Sequence, residues 1–239
     1  MGNADLNETP HADSAPGSQS PAIASPRSAR EALPVFLSHP SPRILLAALA
    51  LALCARISVG SWSVWDLAPP AALLAVWPLQ EWLIHVVILH WKPRRLFGRD
   101  LDFAVPRKHR AHHRDPADLG LVFIPLSSYA YTLPLLVALW FALMPTLPLA
   151  LTGMAAYLAL SLHYEWVHFL VHTRWRPRWR PYRALWQQHR LHHFKNEHYW
   201  FGVTRRGADR LLGTRPERDA VPTSPTCLTL GVADPDALS

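Results

Sequence analysis

Residues 71–91 read AALLAVWPLQEWLIHVVILHW. These 21 residues carry one acid, Glu81, and no Lys or Arg. A helix rising ~1.5 Å per residue crosses ~30 Å of hydrocarbon in about this length. The last turns hold two histidines, His85 and His90. Ionisable groups are costly inside a bilayer and usually mark function there. This stretch therefore predicts both a membrane span and chemistry at one of its ends.

Three more apolar segments lie on either side. Leu149–His172 holds one acid, Glu165, and ends on a second histidine pair. Leu121–Met144 carries no charge, and Pro125 and Pro134 are expected to kink it. Ile44–Trp65 is the weakest, because Arg56 interrupts it and must snorkel or pair. Composition agrees with a bilayer environment. Of 239 residues, 50% are hydrophobic and 17% charged, where a soluble domain carries about 25%. The fold class expected is an all-α integral membrane protein with about four transmembrane helices and a cytoplasmic helical cap.

The net charge of +7 is explained by where the bases sit. Residues 92–118 carry 8 Lys/Arg and residues 173–218 carry 12, together 20 of the 24. The connections 66–70 and 145–148 carry none. The positive-inside bias then puts both basic stretches and both termini in the cytoplasm. Trp175, Trp179, Trp186 and Trp200 among the arginines suit an interfacial belt. With this distribution and no recognised nucleic-acid module, no nucleic-acid partner is expected. The excess of Arg over Lys and the abundance of Ala suggest a GC-rich coding sequence, hence a bacterial inner membrane.

Residues 1–43 hold six prolines between Pro10 and Pro40 and lack apolar periodicity, so they predict a disordered leader. Residues 44–213 form the expected membrane domain with its cap, and 214–239 a flexible tail. Two cysteines, Cys54 and Cys227, exclude a disulfide framework and a cysteine-built metal cluster.

Fourteen histidines stand against three lysines. Ten fall into four groups: His85 and His90 (HxxxxH); His109, His112 and His113 (HxxHH); His168 and His172 (HxxxH); His189, His192 and His193 (HxxHH). Residues i, i+3 and i+4 share a helix face, so each HxxHH forms one stripe and His168 and His172 are neighbours. His85 and His90 are not, being about 140° apart on a 3.6-residue turn. They converge only if the helix unwinds near Pro93; otherwise they serve different metals. The predicted topology brings all ten to one membrane face. Imidazole suits Zn, Fe, Cu and Ni, and ten ligands are too many for one ion and about right for two.

Glu81 is i−4 from His85 and Glu165 is i−3 from His168. Each is placed to accept the far N–H of a ligating imidazole, which fixes its tautomer. Asn196 and His198 are further candidates for that supporting role. His11 and His39 sit in the leader, and His163 points away from His168. No HExxH, GxSxG, Walker A or GxGxxG motif is present. A membrane metal transporter would place its site near the midplane, and a bis-histidine haem protein would not need two HxxHH groups.

The ordered boxes EWLIHVVILH (81–90), HRAHH (109–113), YEWVHFLVH (164–172) and HRLHHFKNEHYWFG (189–202), followed by DRLLGT (209–214), resemble the fatty acid hydroxylase / sterol desaturase superfamily. The resemblance is nearest to fatty acid 2-hydroxylases without a cytochrome b5 domain. Those enzymes tend to have Asp where Glu165 stands here. The resemblance implies that the ten histidines hold two metal ions, iron expected, with O2 as co-substrate. Zinc would fit the same donors but cannot change redox state. It also implies a fatty acyl or other membrane-lipid substrate and electrons from an external donor, cytochrome b5-like or a ferredoxin with its reductase. Lipid hydroxylation is the first expectation. Sterol or lipid desaturation and carotenoid ring hydroxylation are the alternatives within the superfamily.

Overall fold

The computed structural model describes residues 25–232. Helix α1 (Ala29–Ser38) leads into α2 (Pro40–Val59); a 3-10 turn (Val64–Leu67) starts α3 (Ala68–Leu83), which continues as a π-helical turn, Ile84–Leu89. A hairpin of β1 (Arg94–Leu96) and β2 (Arg99–Leu101) precedes α4 (Ala104–Arg114). Then come α5 (Leu126–Leu143), α6 (Leu147–His172), α7 (Arg180–Phe194) and the short α8 (Gly207–Leu211).

Four helical stretches are long and apolar enough to cross a membrane: Pro40–Val59, Val64–Leu89, Leu126–Leu143 and Leu147–His172. The first is α2, the stretch whose own hydropathy is weakest. Its interrupting base neither snorkels nor stays unpaired. Arg56 is buried, bonded to Asp66 at 2.6 Å and to Thr152 Oγ1 at 2.8 Å, and it also donates to the Gly60 carbonyl. A buried charge is tolerated when paired and hydrogen-bonded, and this pair joins the far ends of α2, α3 and α6.

Helix α6 is the central post, packing against α2, α3 and α5. Leu45 and Ala52 of α2, Leu73 of α3, Leu136 and Trp140 of α5, and Met154 and Leu158 of α6 form the core between the spans. Gly153 lets α5 close on α6, because a methyl there would overlap the Trp140 ring. Outward residues such as Leu51, Ile57 and Leu135 are largely exposed, as a lipid-facing surface requires. The connections 60–63 and 144–146 are short, whereas 90–125 and 173–232 build the cap on the opposite side.

Both ends of the chain correct the sequence reading where they are described. The predicted disordered leader contains α1, capped by Ser28, whose hydroxyl accepts from Glu31 N at 3.2 Å and donates to Glu31 Oε1 at 3.0 Å. This serine N-cap, with a glutamate three residues on, is present among the prolines. Phe36 then packs against Phe123, Trp166 and Phe169, so α1 is held by burial. The earlier part of the leader lies outside the described residues. In the predicted flexible tail, residues up to 232 pack on the cap, with Ser224 and Leu230 buried and Ser224 N bonded to Lys195 O at 2.7 Å.

Candidate metal centre

All ten box histidines meet in the cap, in two groups of five. His85, His90, His109, His113 and His192 form one; His112, His168, His172, His189 and His193 form the other. Within each group the possible ligand atoms lie within 4.8 Å of one another. Eight of the ten side chains are buried, and His90 and His172 are partly so. The groups adjoin, with the His113 and His193 rings 4.1 Å apart between centroids.

The helical period distributes the ligands. On α4, His109 and His113 (i, i+4) face the first group while His112 faces the second. On α7 the division is reversed: His189 and His193 (i, i+4) face the second group and His192 the first. The single stripe expected of each HxxHH is therefore shared between two centres. His85 and His90 do converge, but not by unwinding. The π turn bonds His90 N directly to His85 O at 3.1 Å, bringing residues i and i+5 together and the two rings to 5.0 Å.

In the first group, backbone carbonyls fix the tautomers. A carbonyl can only accept, so His85 Nδ1–H donates to Phe201 O (2.7 Å), His113 Nδ1–H to Cys227 O (2.9 Å) and His192 Nδ1–H to Tyr199 O (2.8 Å). Their Nε2 atoms, like those of His90 and His109, are buried without a hydrogen-bond partner. Five unpartnered imidazole nitrogens converging in a buried space fit a metal ion.

In the second group, His172 Nδ1–H donates to Pro116 O at 3.0 Å. Its Nε2 lone pair then faces His112 Nε2 at 3.1 Å and His189 Nε2 at 3.0 Å, and His193 Nε2 is 3.1 Å from His189 Nε2. Two nitrogens bound at right angles ~2.1 Å from one metal lie about 3.0 Å apart, so this spacing also fits a shared ion.

Burial sets the protonation state. It holds His109, His112, His189, His192 and His193 well below the usual imidazole range, with neighbouring imidazoles adding to the effect. His113 is pushed down to about 3, mainly by burial. Neutral imidazoles are the form that ligates.

The four supporting residues expected from sequence take other partners. Glu81 does not meet His85; it accepts from Thr204 N at 2.7 Å, from Thr204 Oγ1 at 2.5 Å and from Val203 N. Glu165 does not meet His168; it accepts from Ser41 Oγ at 2.5 Å and Ile124 N at 3.2 Å. Asn196 bonds Pro222 O and His198 N, and the His198 side chain is 67% exposed beside Glu197. The i−3 and i−4 carboxylates sit on the right helices, but loop amides and hydroxyls reach them first.

Sequence reasoning missed Asp209. It is fully buried and accepts from Phe201 N (3.0 Å), Gly202 N (2.8 Å), Gln188 Nε2 (2.7 Å) and Thr214 Oγ1 (2.7 Å). Asp209 and Glu81 thus clamp the segment 201–204 from two sides. That segment carries the Phe201 carbonyl used by His85. Gly202 is required in it, since a Cβ would overlap the Arg205 carbonyl. The DRLLGT block marked this region but assigned Asp209 no role. The carbonyls of Tyr199, Phe201, Pro116 and Cys227 had no sequence signal at all.

The family profile for fatty acid hydroxylases matches residues 70–214. The chain is 28% identical over 142 residues to the dihydroceramide fatty acyl 2-hydroxylase of Arabidopsis thaliana, covering 59% of this chain and 57% of that one. It is 32% identical over 149 residues to the ceramide very long chain fatty acid hydroxylase of Saccharomyces cerevisiae, covering 61% of this chain and 37% of the yeast protein. The chain therefore spans little more than half, and about a third, of these two relatives. A solved structure of full-length Scs7p, in which only the hydroxylase domain is visible, superposes with a TM-score of 0.60 at 25% identity over 83% of this chain and 70% of that one. With the profile match covering all four histidine boxes, the chain belongs to the fatty acid hydroxylase family.

Proposed function

We propose that this protein is an O2-dependent membrane lipid hydroxylase acting on a fatty acyl chain, with a di-iron centre held by the ten histidines. The observation that carries the reading is the pair of adjoining five-nitrogen groups, the first with five buried, unpartnered Nε2 atoms, three of them on rings oriented by carbonyl contacts at Nδ1. Both named relatives are fatty acyl hydroxylases of ceramide-type lipids, which supports an acyl substrate.

His85, His90, His109, His113 and His192 would hold one ion, and His112, His168, His172, His189 and His193 the other. Iron there supplies the redox change needed to use O2 on an unactivated C–H bond. The balanced reaction takes one O2, two electrons and two protons, and returns one C–OH and one water. The electrons come from an external carrier of the cytochrome b5 or ferredoxin type.

The chain's own residues do the rest. Asp209 and Glu81 hold the 201–204 segment still, so that His85 presents the same nitrogen throughout turnover. Arg110 grips Asp102 through two bonds of 2.6 and 2.7 Å and the Trp91 carbonyl at 2.9 Å, tying α4 and its three histidines to the end of the second span. Burial of the imidazoles excludes water from the reacting volume. The cap and both termini lie on the cytoplasmic side, in keeping with the basic connections.

The test is lipid mass spectrometry on membranes from cells that express the wild type or His192→Ala, supplied with iron and a reductase system. A wild-type lipid heavier by one oxygen is expected and would name the substrate. A lipid lighter by two hydrogens would make the enzyme a desaturase. Identical lipids in the two strains would overturn the reading.

A further inference from the structure

One narrow cavity reaches both metal groups. His109 of the first group and His168 of the second line it together. Its other walls are mostly apolar or aromatic, including Leu89, Phe123 and Tyr164. One cation stands in this lining, Lys108, half-buried on α4 immediately before His109. The charges of Glu165 and Asp118 bear on it, yet among the described residues its side chain makes no hydrogen bond or ion pair. A half-buried ammonium on the wall of an otherwise apolar slot beside two metal sites is placed to exchange water for a polar group of an entering ligand.

We propose that Lys108 receives the carbonyl end of the acyl chain in this cavity and so determines which carbon is oxidised. The inference rests on the hydroxylase reading and adds a specificity residue to it. Methylene groups along a chain are chemically alike, so apolar walls alone give the chain no register. A cation holding the terminal oxygen supplies one. With the ammonium lining the same cavity as His109 and His168, the carbon adjacent to the carbonyl is the first methylene presented to the metal groups; the cavity, about 50 Å³, holds only this end of the chain, and the rest extends outward. The ligand chemistry is a carbonyl oxygen, borne by a free carboxylate or by an N-acyl amide. A carboxylate gains a charge-assisted bond, an amide an ordinary ion–dipole contact.

The experiment uses the full chain, loaded with iron in phosphatidylcholine nanodiscs and supplied with an electron donor. Separate arms receive a saturated free fatty acid and the same chain amide-linked to a sphingoid base. Tandem mass spectrometry locates the hydroxyl. For Lys108→Met, KM is expected to rise about tenfold or more, as loss of a bond to a charged group implies, and the hydroxyl to spread beyond the carbon next to the carbonyl. Metal content should match wild type, and Lys108→Arg should restore both readouts. A larger loss in the acid arm would mark the carboxylate as the ligand, and equal losses the amide carbonyl. Unchanged KM and position in both arms would overturn the inference alone. So would a loss of metal with the position retained, since that is a structural role. A wild type that hydroxylates neither substrate would overturn the hydroxylase reading, and this inference with it.

Discussion

Three imidazoles of the first group each have one nitrogen already committed. The carbonyls of Phe201, Cys227 and Tyr199 take the Nδ1 protons of His85, His113 and His192 and leave Nε2 to ligate. Alanine at His85 is expected to lower bound metal from two ions to one and to abolish oxidation, read by elemental analysis and product yield. Asp209→Ala should act at a distance. It leaves the buried amides of Phe201 and Gly202 without their acceptor, each costing about 1–3 kcal/mol, so both the melting temperature and metal retention should fall, while Asp209→Asn should lose less of each. The histidines also impose a pH dependence. His113 sits at about 3 in the folded chain against an ordinary 6.5. Below 6.5 the unfolded chain takes up protons that the folded chain refuses. Stability present above that pH is therefore lost as pH falls, by about 1.4 kcal/mol per unit for one such group. Metal-free protein should melt progressively lower from about pH 7 to about pH 5, and a flat profile would contradict this burial.

Among the elements, α6 and the end of α3 decide the most. The contact of Gly153 with the Trp140 ring sets how closely α5 approaches α6. Gly153→Ala should force that pair apart at about 1–3 kcal/mol, the usual range for overpacking. The expected readout is a lowered melting temperature in detergent with the histidine cap still able to bind metal, because the contact lies among the spans. The π turn is the other decisive element. His85 and His90 are wrongly spaced for an α-helix, and that mismatch was visible in the sequence. That a π turn resolves it was not, because local hydrogen-bond register depends on what α3 packs against. Helix α1 shows the converse case. Its Ser28 N-cap stands in a stretch whose density of prolines argued for disorder. The apolar cluster around Phe36 stabilises a helix that composition alone argues against.

For the whole molecule, the cap is closed by the segment around Thr226 and Cys227. Cys227 O orients His113, and Thr226 Oγ1 donates to Glu197 beside the last box. Truncation after Arg218 should remove the His113 contact and weaken binding at the first group about 10–100-fold, as losing a supporting partner usually does. The second group, oriented through Pro116, should retain its ion. Titration with metal, followed by elemental analysis, separates the two. Loss of both ions or of neither would show that the tail has no selective hold on the first group.

The four spans and the ten box histidines were legible in the sequence, because both rest on periodicity. Twenty apolar residues must cross a bilayer as a helix, and i, i+3, i+4 spacing must put side chains on one side of it. How the ten divide into two fives, and which nitrogen of each ring is free, only the tertiary structure decided. Division depends on the angle at which α4 and α7 meet the ends of α3 and α6. Tautomer depends on backbone carbonyls of Pro116, Tyr199, Phe201 and Cys227, and a carbonyl is the same in every residue. Glu81 and Glu165 mark the same boundary between the two kinds of information. Their helical positions relative to the histidines could be counted along the chain, but their partners, Val203 and Thr204 for one and Ser41 and Ile124 for the other, lie 41 to 124 residues away. No local rule reaches that far, since such contacts form only when the spans have packed and closed the cap over them.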